Sequence, residues 1–233
     1  MTTTEHTERR RTDREEQRSD TDPASNRPQS VSEIRTSYAD FADSMQRFEW
    51  LDRAITGRHR RRRFGDVDGK VLDVACGTGT NFRYLSETVE LVGIDISPEM
   101  LTKAEDTLAE LGRDGTVREM NAHDLAFPDD SFDAVISALS TCTFPDPVAA
   151  LREMDRVCKP DGTIRLVEHG RSSVGPIARF QEWRADAHYE QSGCRWTQEP
   201  REIVAEAGLS VEETSTGLFG TITTFEITPT KDQ

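Results

Sequence analysis

The sequence predicts an α/β fold, in which a doubly wound, mostly parallel sheet carries helices on both faces behind an N-terminal helical cap. Two observations predict it. An apolar run at residues 71–74 breaks at a Cys-Gly-Thr-Gly turn and leads into a segment with helical spacing. Farther along, short apolar runs alternate with helical patterns, which is typical of strand–helix–strand units. The length of 233 residues accommodates one such domain with appendages.

The N-terminal part of the chain divides into a polar tail and a helical cap. Residues 1–29 contain almost no apolar side chains, so burial cannot offset the entropy of ordering, and we expect disorder. Across 30–66, apolar residues recur at spacings of three and four, which predicts one or two helices over the carboxyl edge of the sheet. The arginine-rich run 58–63 ends this cap. We expect it to be a solvated or salt-bridged surface, with a nucleic-acid or anionic-membrane patch as the alternative.

The glycine turn after the first strand indicates a ligand site. Residues 77–79, Gly-Thr-Gly, supply permissive backbone and room for a flat ligand. A dinucleotide fingerprint has a third glycine where Phe82 stands, and Asp73 in the strand would repel a pyrophosphate, so a nicotinamide dehydrogenase conflicts with both residues. S-adenosylmethionine carries an ammonium and a sulfonium instead of phosphate, and a carboxylate at this position suits it.

The second strand and its helix extend this site. The run 90–94 predicts the strand, and Asp95 ends it, where a carboxylate can accept both hydroxyls of a ribose. Ser97 as N-cap and Pro98 at the first helical position predict a helix start. Met100, on the first turn of that helix, is expected to face an adenine.

The remaining elements follow from the same patterns. They are a third strand (117–121), a fourth strand (134–137), a helix (148–157), a turn (159–162), a fifth strand (163–167), a helix (197–208) and two closing strands (209–211 and 218–227). Residues 170–195 fit no core element and are expected to form an insertion between the fifth strand and the next helix.

Three segments resemble a known family. The motif D-x-A-C-G-T-G-x-N at 73–81 resembles motif I of the class I S-adenosylmethionine-dependent methyltransferases. Residues 121–133 are similar to that family's D-A-x-x-L-P-F-x-D-x-S-F-D segment, and 151–162 to its L-R-E-x-x-R-V-L-K-P-G-G segment. The resemblance covers about 36–228. It implies a Rossmann-like domain at 67–230 with seven strands, the last of them antiparallel.

The resemblance also implies which residues hold S-adenosylmethionine. The predicted cofactor set is Asp73, Ala75, Gly77, Thr78, Gly79, Asn81, Asp95, Ile96, Met100, Asn121, Ala122, Asp124 and Ala138. Within this set, the Asn121 amide oxygen would accept the adenine amine while the Ala122 N–H donates to the ring, and Asp124 is a second candidate for the amine. Tyr38 and Phe41 resemble the family's N-terminal aromatic segment, which helps to cover the cofactor.

The implied activity is in-line methyl transfer to a small-molecule or lipid-like acceptor. Because the sulfonium methyl is already activated, the protein mainly holds donor and acceptor about 3–3.5 Å apart and excludes water. A carbon or hydroxyl acceptor also needs a base. His169, His188 and Tyr189 are the candidates for that base, with a structural role as the alternative for each. The insertion at 170–195 is where the family builds its acceptor pocket.

Two segments indicate a subgroup within the family. Residues 156–169 and 193–209 resemble the group of bacterial phospholipid N-methyltransferases and thiol methyltransferase-like proteins. A menaquinone-type C-methyltransferase is one alternative, since it shares the first of these segments. A non-catalytic adenosylmethionine-binding regulatory domain is another. A nucleic-acid methyltransferase would need a basic channel and an Asn/Asp-Pro-Pro-Tyr/Phe motif, and the loop after the fourth strand has neither.

The composition indicates which environment and which binding partners to expect for the chain. The formal net charge is −14 and there are only four lysines, which suits a cytoplasm of high salt and disfavours nucleic acid as a partner. We therefore hypothesise a halophilic-type surface. Cys76, Cys142, Cys158 and Cys194 have no regular spacing, so we expect reduced thiols, a cytoplasmic location and no metal site. No apolar run is long enough to span a membrane, while peripheral membrane contact stays open.

Overall fold

The computed structural model describes residues 30–231. Within the first helix, the side chains at 37, 39–46, 48 and 49 are not described. The predicted disordered tail, 1–29, lies outside the described residues, as do the side chains of Phe41, Met45 and Phe48 in the predicted cap.

One mixed sheet forms the centre of the described residues. Its strands are β1 (Lys70–Val74), β2 (Glu90–Asp95), β3 (Thr116–Glu119), β4 (Phe132–Ala138), β5 (Cys158–His169), β6 (Ser210–Gly217) and β7 (Ile222–Thr228). Their order across the sheet is β3-β2-β1-β4-β5-β7-β6. Strand β7 runs antiparallel to both β5 and β6, and the other pairs are parallel. The predicted seven-stranded, mostly parallel fold with an antiparallel last strand is confirmed.

Five α-helices accompany the sheet in the described part of the chain. They are α1 (Val31–Phe64), α2 (Pro98–Leu111), α3 (Pro147–Val157), α4 (Gly175–Ser192) and α5 (Pro200–Glu206). Side chains cap the N-termini of two of these helices. Ser97 accepts a hydrogen bond from the Met100 N–H of α2, and Asp146 accepts one from the Ala149 N–H of α3. Helix α1 is a single helix that opens with a capping box between Ser30 and Glu33. Among these helices, none is long and apolar enough to cross a membrane.

The core occupies both faces of the sheet. Because successive side chains of a strand point to opposite faces, Leu72 and Val74 of β1 join one buried cluster while Val71 joins another. In β4, Val135 and Ile136 divide in the same way. The central strands are therefore buried on both sides, which leaves their carboxyl ends as the natural place for a ligand.

The closing strands predicted at 209–211 and 218–227 are β6 (Ser210–Gly217) and β7 (Ile222–Thr228), with a 3-10 helix at Leu218–Gly220 between them. Apart from such shifted bounds, the structure differs from the sequence-based prediction in three elements. The turn predicted at 159–162 belongs to β5, which begins at Cys158 and pairs with Phe132 across an irregularity. The segment after the glycine turn, predicted as a helix, is a short 3-10 helix (Thr80–Tyr84). It ends where Arg113 donates to the carbonyl oxygens of Phe82 and Leu85 at 2.8 and 3.0 Å.

The third difference is α4, an 18-residue helix inside the insertion that was expected to contain no core element. Its buried residues are only Ala178 and Gln181, whereas Phe180 and Trp183 are exposed. The helix therefore lacks the apolar stripe that predicts amphipathic helices from sequence.

Candidate cofactor and active site

A cavity of about 330 Å³ opens at the carboxyl ends of β1, β2 and β4, beneath α1. Open parallel sheets bind ligands at this edge. Most of the predicted cofactor residues line it, namely Ala75, Gly77, Thr78, Asn81, Asp95, Ile96, Met100, Asn121, Ala122 and Ala138. Asp73 and Gly79 are buried behind the lining, and Asp124 is exposed outside it.

The glycine turn forms one wall of the cavity. Ala75, Gly77 and Gly79 have positive φ angles of 54°, 55° and 80°. A Cβ on Gly79 would lie 2.5 Å from the ring of Phe82, whereas a Cβ on Gly77 would meet nothing within 4 Å. Packing therefore requires glycine at position 79, and Gly77 leaves open space for a ligand. Phe82 stands where a dinucleotide fingerprint has its third glycine, and it is fully buried in the core.

Asp73 is a fully buried carboxyl group below the turn. Its Oδ1 accepts a hydrogen bond from Asn81 Nδ2 at 2.9 Å, while its Oδ2 has no hydrogen-bond partner among the described residues. Burial raises the pKa of Asp73 to about 7, against the opposing effects of the Asn81 hydrogen bond and the Arg60 charge. A buried oxygen without a donor is costly, and a ligand that brings an N–H group would supply that donor.

Arg60 connects the cap helix to this carboxyl group. Its guanidinium donates to Asn81 Oδ1, to Thr56 Oγ1 at 2.9 Å and to Asp52 Oδ2 at 3.2 Å. Arg60 is only 4% exposed, and it lines the cavity together with Asp52 and Asn81. A chain of hydrogen bonds thus runs from Asp52 through Arg60 and Asn81 to Asp73.

The arginine-rich run is only partly the surface that the sequence predicted. Arg58, Arg61 and Arg62 are not buried, but Arg60 and Arg63 are both 4% exposed. Arg63 pairs with Glu226 of β7 at 2.8 Å and with Glu213 of β6 at 3.0 Å. Thr56, Arg60 and Arg63 are buried and are spaced four and three residues apart, so they share one face of the helix. This spacing is the sequence signal that could have distinguished the two buried arginines from the exposed ones.

Asp95 ends β2 with both carboxylate oxygens held by the backbone. Gly77 N–H donates to its Oδ2 at 2.9 Å, and Ser97 N–H donates to its Oδ1 at 3.0 Å. Burial raises the pKa of this carboxyl group, and the two backbone bonds oppose that effect. Each oxygen keeps a second lone pair, so the fixed carboxylate can still accept two ribose hydroxyls.

Beyond Asp95, the cavity wall combines buried apolar side chains with a polar turn. Met100 and Ala122 are buried. The Asn121 amide oxygen accepts from the His123 N–H at 3.1 Å and contacts His123 Nδ1 at 2.8 Å. Its lone pairs are therefore engaged within the turn, which leaves the Asn121 NH₂ group for a ligand.

His123 lines the cavity and was missed by the sequence reasoning. Its Nε2 accepts the Asp146 N–H at 3.2 Å, which assigns the proton to Nδ1, facing Asn121. Burial lowers the pKa of His123. Its imidazole is therefore neutral with both nitrogens engaged, so it serves as a fixed wall.

The side of the cavity near the ends of β4 and β5 carries hydroxyl groups. Tyr38, Ser140 and Thr143 line it. Burial raises the pKa of Tyr38, which is opposed by a hydrogen bond with Thr143, so its phenol stays protonated. Behind this wall, the buried Glu168 accepts from Ser140 N and Ser140 Oγ, both at 3.3 Å.

The three predicted base candidates do not line the cavity. His169 Nε2 lies 3.1 Å from Cys142 Sγ and 3.3 Å from Cys194 Sγ. The His188 ring stacks on Trp196 with the ring centroids 4.3 Å apart. Tyr189 belongs to the last turns of α4. His169 therefore lies beside two cysteines, and none of the three predicted base residues lies beside the glycine turn.

Several curated relatives of this chain carry the names of methyltransferases. A family model described as a methyltransferase domain matches residues 72–166. The chain is 35% identical to a phosphatidylethanolamine N-methyltransferase of Cereibacter sphaeroides over 167 residues, which cover 65% of this chain and 80% of that protein. It is also 34% identical to the ubiquinone/menaquinone biosynthesis C-methyltransferase UbiE of Proteus mirabilis, over 48% of this chain and 47% of that protein.

Solved structures have the same architecture. A chain of the complex between the Haloferax volcanii Trm112 methyltransferase activator and a methyltransferase aligns with a TM-score of 0.65 at 25% identity, over 83% of this chain and 98% of that one. A SAM-dependent methyltransferase of Thermotoga maritima aligns with a TM-score of 0.65 at 18% identity, over 84% of this chain and all of that one, which supports the fold. The chain belongs to the class I S-adenosylmethionine-dependent methyltransferases, and S-adenosylmethionine is its cofactor.

Proposed function

We propose that this methyltransferase acts on a lipid-like or small-molecule acceptor whose reacting atom needs no base from the protein, such as a neutral amine or a thiolate. The observation that carries the proposal is the cavity lining. Its acceptor-side groups are the hydroxyls of Tyr38, Ser140 and Thr143, and its histidine, His123, has both ring nitrogens engaged. These groups can orient an acceptor and exclude water, which positions it for in-line attack.

We propose that different residues of the predicted cofactor set bind chemically different parts of S-adenosylmethionine. When bound, S-adenosylmethionine supplies an electrophilic methyl on a sulfonium. We assign its ammonium to Asp73, which lies just behind the lining and whose Oδ2 has no hydrogen-bond partner among the described residues. We assign its carboxylate to the Arg60 guanidinium, which lines the cavity and also pairs with Asp52. Asp95 would hold the ribose hydroxyls, and Met100 with Ala122 would enclose the adenine. Because Asp124 is exposed outside the cavity, we do not include it among the proposed adenine contacts.

Two observations support a lipid-like acceptor. The Cereibacter sphaeroides relative, of which the alignment covers 80%, carries the name of an enzyme acting on an amine-bearing phospholipid. In addition, α4 presents Phe180 and Trp183 to solvent, 54% and 76% exposed, and such side chains suit contact with a lipid surface. A cytoplasmic location and the absence of nucleic-acid binding remain predictions from the composition.

A carbon acceptor of the quinone type is the second candidate, because the chain is 34% identical to UbiE over 119 residues. Carbon methylation needs removal of a proton, and the lining offers no free imidazole for it among the described residues. The lining carboxylates are engaged as well, Asp52 with Arg60 and Asp95 with the backbone. This candidate therefore requires a base from outside the described lining or from the acceptor itself.

The test is methyl transfer from labelled S-adenosylmethionine to a panel of phosphatidylethanolamine vesicles, small amines, small thiols and a demethylated quinone. The proposal expects turnover with an amine or thiol and none with the quinone. An Asp95→Ala variant should lose turnover with every acceptor. Turnover with the quinone alone would overturn the proposal, and cofactor binding without any turnover would support the regulatory alternative.

A further inference from the structure

We propose that Cys142, His169 and Cys194 form a binding site for Zn²⁺, next to the cofactor cavity but outside its lining. One ligand atom from each side chain lies within 4.8 Å of the other two. The three residues come from different elements: the loop after β4, the end of β5 and the loop after α4. The spacing of these residues in the sequence does not indicate a metal site, because only the tertiary fold brings them together.

The distances fit tetrahedral coordination. Zinc binds thiolate sulfur at about 2.3 Å and imidazole nitrogen at about 2.0–2.1 Å, so neighbouring N and S ligands of a tetrahedron are about 3.5 Å apart. The observed separations from His169 Nε2 are 3.1 Å to Cys142 Sγ and 3.3 Å to Cys194 Sγ. A movement of a few tenths of an ångström would therefore accommodate the ion.

Backbone and amide contacts hold the three segments together independently of the thiols. The Arg195 N–H donates to the Cys142 carbonyl oxygen at 3.0 Å. Gln198 Nε2 donates to the His169 carbonyl oxygen at 3.0 Å and to Thr141 Oγ1 at 2.9 Å. The ligand atoms are thus presented by a framework that is fixed beforehand, and such outer hydrogen bonds orient the ligands of metal sites.

The donor set selects the ion. Two thiolates and an imidazole are the ligands that Zn²⁺ prefers, whereas Ca²⁺ and Mg²⁺ prefer oxygen. Three protein ligands leave the fourth tetrahedral position to water. Zinc requires no oxidant, unlike a disulfide between Cys142 and Cys194, and it suits thiols that remain reduced.

A metal at this place would join the insertion to the cavity wall. Cys142 lies between Ser140 and Thr143, which line the cavity, while Cys194 belongs to the loop after α4. The site would therefore fix the position of α4 relative to the hydroxyl-lined side of the cavity. This inference concerns metal binding and does not depend on which acceptor is methylated.

The experiment is a metal titration of the full chain after chelation and thiol reduction, with Co²⁺ as a spectroscopic substitute and Zn²⁺ as competitor. We expect one tetrahedral Co²⁺ per chain with thiolate-to-cobalt charge transfer, displaced by Zn²⁺. Cys142→Ser, His169→Ala and Cys194→Ser should each weaken Zn²⁺ binding at least about 100-fold, because loss of a direct ligand costs more than loss of a hydrogen bond that orients one.

Cys158→Ala is the matched control, because Cys158 is a buried cysteine of β5 that does not belong to the cluster. It should leave the titration unchanged. Each variant is first required to bind S-adenosylhomocysteine as the unaltered chain does. Where a variant fails to fold, X-ray absorption of the zinc-loaded original chain decides, with two sulfur neighbours expected at about 2.3 Å. Equal binding in cluster and control variants, or no sulfur neighbours, would overturn the proposal.

Discussion

Replacing Asp73 by asparagine should stabilise the cofactor-free protein while weakening cofactor binding. Burial raises the pKa of Asp73 to about 7 from 3.8. Because the folded protein holds this proton to higher pH than the unfolded chain does, ionisation lowers the free energy of unfolding progressively between about pH 4 and pH 7. Above that window the cost is about 4 kcal/mol. A neutral asparagine side chain at this position would carry no such cost.

The gain from the substitution is smaller than this cost. Asparagine keeps an oxygen for the Asn81 hydrogen bond, but its NH₂ group replaces the unpartnered Oδ2 and needs an acceptor. An unsatisfied buried donor costs about 1–3 kcal/mol. The net stabilisation at pH 8 is therefore roughly 1–3 kcal/mol, or roughly 2–12 °C in melting temperature for a chain of this size. Near pH 4 the gain should vanish, because the carboxyl group of the folded original protein is then protonated.

The same substitution removes the charge proposed to receive the cofactor ammonium. A hydrogen bond to a charged group contributes about 1.5–3 kcal/mol, so affinity for S-adenosylmethionine should fall roughly 10- to 100-fold. Thermal unfolding without cofactor at pH 8 and near pH 4, together with titration calorimetry, checks both effects. Asp124→Asn is the control, since Asp124 is exposed outside the cavity. A variant that is less stable at pH 8 and binds the cofactor normally would refute the reasoning.

Three further predictions address the cap, the exposed helix and the surface charge. Arg60→Gln should raise the KM for S-adenosylmethionine roughly tenfold or more, whereas Arg62→Gln, on an exposed residue, should not; equal KM values would contradict the assignment of Arg60 to the cofactor carboxylate. Trp183→Ser should reduce co-sedimentation with phosphatidylethanolamine vesicles while leaving cofactor affinity unchanged, and unchanged sedimentation would remove α4 as a lipid contact. Because the net charge is −14, raising KCl from about 0.1 to about 1 M should raise the melting temperature, and no change would contradict the halophilic-type surface.

The parts of the site that the sequence predicts are those encoded by local chemistry. Glycines at 77 and 79 and acids in β1 and at the end of β2 appear in the sequence as a turn between short apolar runs, and most of the predicted cofactor residues line the cavity. The sequence does not single out Arg60, because its neighbours include exposed arginines and its hydrogen-bond partner Asn81 is 21 residues away. Helix α4 escapes the prediction because exposed aromatic side chains disrupt the apolar spacing.

The cysteine and histidine cluster could not be predicted from the sequence for a different reason. His169 is 27 residues from Cys142 and 25 from Cys194, with helices α3 and α4 and most of β5 between the three residues. Metal sites that are visible in a sequence have their ligands a few residues apart, on one turn or one helix. Here the proximity results from tertiary structure, since β4 and β5 are neighbours and the loop after α4 returns to them.

The chain of contacts from Asp52 to Asp73 gives a physical reason for cofactor binding to stabilise the cap helix. Arg60 of α1 interacts with Asn81, and Asn81 holds Asp73, whose other oxygen has no partner among the described residues. A ligand that brings an ammonium to Asp73 and a carboxylate to Arg60 would give the Asp73 oxygen its missing donor and add a second carboxylate to Arg60, which already pairs with Asp52. Its binding would then stabilise the folded protein by mass action, and the stabilisation would reach α1 through Arg60. Under the proposed assignment, the destabilised carboxyl group and the buried arginine would receive the two opposite charges of one zwitterion.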